Sequence, residues 1–156
     1  MATFADTLTL HFDGDDIQAI HIPNAHSDGN LLFYFRKANV IHTGDLYFSR
    51  SYPFINISFG GSIDGMIATS DKILSMIDGN TKVIPGYGPL ANHEEVQVYR
   101  NMLAAVRDRI ARLIKEGKTL EEVLASKPTA DFDKVRNQFI PTELFVKVVY
   151  NDLSKR

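Results

Sequence analysis

Cysteine is absent from the 156-residue sequence. That excludes disulfides, thiolate zinc sites and a cysteine nucleophile together, so any metal would have to be held by histidine, carboxylate or another oxygen. A basic block is missing as well. Seventeen Lys and Arg stand against 19 Asp and Glu, for a net charge of -2. Nothing supplies the electrostatic footprint that a nucleic-acid backbone demands, and no nucleic-acid partner is expected. Long apolar runs are lacking too: the stretch Leu31 to Phe35 falls far short of the roughly 20 residues that cross a bilayer, so no membrane partner is expected. Met1 to Asp6 carries neither a basic n-region nor the apolar segment of a secretory signal, and the expected location is cytoplasmic. What is present, 44% hydrophobic and 23% charged residues, is the composition of one ordinary globular domain with one core.

The first part of the chain reads as strands. Thr7 to Phe12 alternates in character, Asp13-Gly14-Asp15 offers turn chemistry, and Ile17 to Ile22 alternates again, which predicts a β-hairpin. Leu31 to Arg36 and Val40 to His42 predict two more strands, and Lys82 to Ile84 a short fifth one. Between them Ser62 caps a helix with apolar residues at helical spacing from Ile63 to Ile77, closed by Gly79 at the C′ position. From residue 92 the pattern is helical. Asn92 with Glu95 makes a capping box, the long helix ends at Gly117, Thr119 with Glu122 opens a short helix, and Thr142 caps a last one. Lys127 to Pro141 is the candidate irregular stretch.

Three loops, each expected at a strand end, carry ionisable or polar residues among small ones: Asn24 to Gly29 around His26, Thr43-Gly44-Asp45, and Pro85-Gly86-Tyr87-Gly88. A rigid sheet positions chemistry best at such places. Each loop alone has a plainer explanation. A lone loop histidine is more often solvated or hydrogen-bonded than metal-bound, because a metal site needs several converging ligands. Asp45 after a glycine equally suits a turn. No nucleophile elbow or phosphate-binding loop offers another mechanism.

Taken together, the order and spacing of these loops resemble the second half of the metallo-β-lactamase superfamily, from about Thr7 to Leu103. Pro23-Asn24-Ala25-His26-Ser27-Asp28-Gly29 resembles the family's P-x-A-H-[ST]-D loop, whose histidine binds zinc. His42-Thr43-Gly44-Asp45-Leu46 resembles H-x-G-D-L, whose aspartate binds or bridges the metals. Ile84-Pro85-Gly86-Tyr87-Gly88-Pro89 resembles I-P-G-H-G-P with the histidine replaced by Tyr87. The resemblance implies His26 and Asp45 as metal-ligand candidates, vestigial in this chain, with Asp28 and Tyr87 as candidate binding residues. The family's H-x-H-x-D-H loop, which supplies most of a dinuclear site, is absent from the sequence. His11, His21, His42 and His93 match none of its positions and are not expected to be ligands.

The expected fold is therefore α/β: half of the family's αββα sandwich, one mixed sheet of about five strands with helices on one face. Residues 1–156 form a single domain in this reading, with 1–103 the family-like half and 104–156 a helical C-terminal extension. Lowering the pKa of a metal-bound water requires about three protein ligands, and two are too few. The isolated chain is thus expected to be catalytically inactive and to act as a binding or assembly module, with no cofactor beyond zinc at a degenerate site. The alternative is a metal-dependent hydrolase whose site is completed by a second subunit or a separate N-terminal chain. A truncated product without present function is a third reading. The inner face of a half-sandwich would be left in water, and the expected cover is a second copy of the chain, giving a homodimer.

Overall fold

The computed structural model describes residues 4–134 and 139–155. Five strands form one sheet in the order of the chain: β1 (Thr7–Phe12), β2 (Asp15–Ile22), β3 (Asn30–Phe35), β4 (Val40–Phe48) and β5 (Lys82–Tyr87). The first four make an antiparallel meander, and β5 joins β4 in parallel. A parallel neighbour needs a crossover, which is supplied by α1 (Ile63–Met76). The β1–β2 hairpin turns on Asp13 and Gly14, both with positive φ, as a two-residue turn of the right hand requires.

After the sheet come α2 (His93–Lys115), α3 (Leu120–Ala125), α4 (Ala130–Asp133) and α5 (Thr142–Leu153). Both predicted capping boxes are present, and Gly117 closes α2 with its N–H on Ile114 O and that of Lys118 on Leu113 O. The sheet register puts Ile20, Leu32, Ile41 and Val83 on one face, where they are buried with Met66 and Ile73 of α1 and Val96 and Leu103 of α2. The α/β architecture, a mixed five-stranded sheet with helices on one face, is the one expected from the sequence. The buried cluster continues through Val149 of α5. Residue 103, where the family-like half was set to end, lies inside α2.

Several local expectations are corrected. Helix α1 ends at Met76, and Gly79 is not its C′ residue; Asp78 makes the turn instead, its Oδ1 accepting from the Asn80 N–H at 2.9 Å. Thr142 is the first helical residue of α5 rather than its cap, because its hydroxyl donates to Asp133 Oδ1 at 3.1 Å. Strand β4 runs on to Phe48 and β5 to Tyr87, so Asp45 and Tyr87 lie in strands rather than loops. Within the segment expected to be irregular, residues 130–133 form α4, and residues 135–138 lie outside the described residues.

Candidate functional site

His26 sits on the loop between β2 and β3, and that loop is tied down at nearly every residue. Asn56 donates its N–H to His26 O at 2.8 Å, Ser62 donates to Ala25 O at 2.9 Å, and Asp28 donates to Phe59 O at 2.8 Å. The His21 ring, expected to be a plain strand residue, donates from Nε2 to Asp28 O at 2.6 Å. Helix α1 presses its first turn onto the same loop: a Cβ on Gly65 would collide with Asn24 O, and one on Gly61 with His26 O. These glycines are needed for close backbone approach.

The ring of His26 is oriented by one further bond. Its Nδ1 lies 2.8 Å from Phe54 O, and a carbonyl only accepts, so Nδ1 carries the proton and Nε2 of the neutral ring has the free lone pair. A second partner on the other ring nitrogen is the usual way a ligating imidazole is held. Nε2 lies 3.8 Å from Asp45 Oδ2, with the His26 side chain 18% exposed and that of Asp45 53% exposed. The separation is too long for a hydrogen bond and within the span of two ligand bonds of about 2.0–2.2 Å to one ion. Asp45 reaches this place from an irregular part of β4, between register shifts at Gly44 and Phe48. Such irregularities re-aim side chains. Its carboxylate lies over Gly86, where any Cβ would collide with Oδ1 and with the Gly44 backbone.

Asp28, Ser27, Gly29, Asn56 and Phe59 join His26 in lining an open depression of about 350 Å³. Tyr87 takes a different course. Its ring stacks on Phe139, with centroids 3.8 Å apart and planes 13° apart, and Phe139 also lies 6.5 Å from the Phe48 ring. The remaining histidines do not join the pair: His11 contacts Asp16 at 2.6 Å, and His42 Nδ1 accepts from the Gly44 N–H at 3.2 Å. Among the described residues no group of three or more His, Cys, Asp or Glu side chains is placed to hold a metal ion.

Sequence reasoning did not find the aromatic surroundings of the pair. Phe54 lies 5.8 Å from the His26 ring, and the exposed Phe59 lines the depression beside it. No sequence signal marks them, because the segment that carries both is placed by its hydrogen bonds to the His26 loop. No helix among the described residues is long and apolar enough to cross a membrane.

No family model matches the sequence, and no curated protein matches it. Solved structures do. The stereoselective inverting sec-alkylsulfatase Pisa1 from Pseudomonas sp. is similar with a TM-score of 0.75 at 18% identity, covering 96% of this chain and 26% of that one. A metallo-β-lactamase from Pontibacter korlensis is similar with a TM-score of 0.56 at 16% identity, covering 65% of this chain and 47% of that one. BLEG-1, a B3 metallo-β-lactamase, is similar with a TM-score of 0.51 at 27% identity over 66% of this chain and 47% of its own. This chain thus spans about a quarter of the sulfatase and just under half of each lactamase. With this five-stranded mixed sheet backed by helices, and with these neighbours, the chain is a partial metallo-β-lactamase-fold domain.

Proposed function

We propose that the chain is catalytically silent by itself and acts as an assembly module, a half-domain that presents a His–Asp pair. The observation that carries this reading is the donor count: His26 and Asp45 stand together, while Tyr87, at the place of a third ligand, is engaged in a stack with Phe139. Activation of a metal-bound water needs about three protein ligands. The test is turnover of lactam, thioester, phosphodiester and sulfate-ester substrates after incubation with zinc. No appreciable rate is expected, and a rate abolished both by a chelator and by His26→Ala would overturn the proposal.

The assembly part rests on the uncovered sheet face. Leu10, Phe12 and Leu31 are exposed, and Phe33, Phe35, Val40 and Ile84 are half-buried on the same side. Five strands of about six residues have a footprint of roughly 500 Å², so two copies face to face would cover roughly 1,000 Å². That is near the lower bound for a specific interface. At about 25 cal/mol per Å² the gross gain is about 25 kcal/mol, above the roughly 4–15 kcal/mol that association costs. A homodimer through this face is the proposed state, and a sharp monomer of 17.5 kDa in sedimentation at micromolar concentration would refute it.

A second reading is favoured by the bond from His26 Nδ1 to Phe54 O, which holds the ring as a ligand is held. In it, the pair contributes to a hydrolase site completed by a second subunit or a separate N-terminal chain. The likeness to an alkylsulfatase over nearly the whole of this chain makes sulfate esters the first substrates to try. Metal content separates the readings. Near zero zinc per chain favours the silent module, and one or more tightly held ions favours the completed hydrolase.

A further inference from the structure

The last turn of helix α5 carries a buried carboxylate outside the His26–Asp45 pair. Asp152 is 7% exposed, and its Oδ2 accepts the Ile63 N–H at 2.9 Å. Ile63 opens α1, where the N–H groups of the first turn have no intrahelical acceptor and the helix dipole is positive. The local cap does not serve this donor: Ser62 Oγ accepts from the Gly65 N–H at 3.0 Å. The first-turn Asp64 reaches Arg107 at 2.8 Å. The acceptor for Ile63 therefore comes from 89 residues away.

The same turn of α1 builds the His26 loop. Ser62, next to Ile63, donates its N–H to Ala25 O at 2.9 Å and its hydroxyl to Asn24 O at 2.9 Å. Asn56, at the other end of the segment that leads into α1, donates to His26 O. Single-residue steps thus connect Asp152 through Ile63, Ser62 and Ala25 to His26. We infer that Asp152 is a positioning residue for the His26 loop: it fixes the start of α1, and that start fixes the direction in which His26 Nε2 faces Asp45. The C-terminal helix is then a brace for the pair rather than an appendage. The inference rests on the reading of His26 and Asp45 as the functional pair.

The test uses the full chain as wild type, Asp152→Ala, Asp152→Asn and Val149→Ala. Val149 is fully buried on α5, so its truncation loosens the helix through a cavity without touching the Ile63 N–H. Amide hydrogen exchange is read at Ser62 and Asn56 against Val106 of α2, and the His26 tautomer by nitrogen–proton NMR. For Asp152→Ala, exchange at Ser62 and Asn56 rises about tenfold over that at Val106, and the Nδ1–H tautomer of His26 loses its dominance. Asp152→Asn, which keeps an oxygen acceptor, gives a smaller rise at the same two amides. Val149→Ala raises exchange at all three sites together and leaves the tautomer unchanged. Wild-type exchange and tautomer in Asp152→Ala, or both local changes in Val149→Ala, would overturn the inference. Should Asp152→Ala fail to fold, Asp152→Asn decides, a local rise supporting the brace and none overturning it. Zinc binding is titrated separately: a wild-type chain that binds no zinc yet shows the Asp152 effect loses the metal reading and keeps the brace.

Discussion

Leu31 and Leu32 are neighbours in β3 and lie on opposite faces of one sheet: Leu32 is 0% exposed beneath the helices, and Leu31 is 37% exposed on the other side. The contrast holds across the sheet. Ile20, Ile41 and Val83 are sealed against α1 and α2, while Leu10 and Phe12 on the open face meet water. Yet the residue types on the two sides are alike. Strands with one solvated face alternate apolar and polar residues, whereas those covered on both faces read as continuous apolar runs. The run Leu31-Leu32-Phe33-Tyr34-Phe35 is of the second kind. That strand has the composition of one covered on both faces, and the described residues cover one of them.

Truncation on the covered side should cost most. Leu32→Ala is expected to lower stability by about 2–5 kcal/mol in urea unfolding, because the fully packed site cannot collapse around the cavity. A loss below about 1 kcal/mol would mean that the two faces are equivalent after all. Gly86→Ala probes the edge where β4 meets β5. The new methyl has to displace Asp45 or the Gly44 backbone, at about 1–3 kcal/mol for overpacking, and calorimetric melting together with the altered Asp45 position in a variant structure checks it. On the open side Leu31→Ala should change unfolding stability by less than about 1 kcal/mol while weakening self-association, as read by sedimentation. Unchanged association would move the interface away from this face.

The smallest effect concerns acid. The Lys37 backbone N–H holds the Asp15 carboxyl below its usual range, and the Asn80 N–H does the same to Asp78. A carboxyl whose folded pKa is depressed contributes stability that is full above the unfolded value, near 4, and lost as pH falls through the folded one. Thermal melts should therefore decline as the pH is lowered beneath about 4. Asp78→Asn should flatten part of that decline by lowering the melting temperature at neutral pH, because the contribution of the ionised carboxyl is then missing at every pH.

Much of the fold was legible because its signals are local. The Asn92–Glu95 and Thr119–Glu122 boxes each close over three residues, and Asp13-Gly14 turns the first hairpin by itself. The motif order singled out His26 and Asp45 as a pair, and the structure brings their side chains to 3.8 Å. What escaped the sequence depends on distant partners. Thr142 looked like a cap until Asp133 claimed its hydroxyl, and Gly79 looked like a helix stop until the Asp78 side chain made the turn before it. Asp45 was expected in a loop, but pairing with β5 carries β4 on to Phe48.

By itself, then, the sequence determined the order of the five strands, the two capping boxes and the first hairpin turn, since short-range pattern and hydrogen bonding decide those. Only the tertiary structure decided that His26 Nε2 faces Asp45, that Phe139 stacks on Tyr87, and that Asp152 caps α1 from 89 residues away. Those contacts join segments with no pattern in common along the chain. They exist because burying the face of the sheet that carries Leu32 and Ile41 against α1 and α2 fixes the backbones from which these side chains extend.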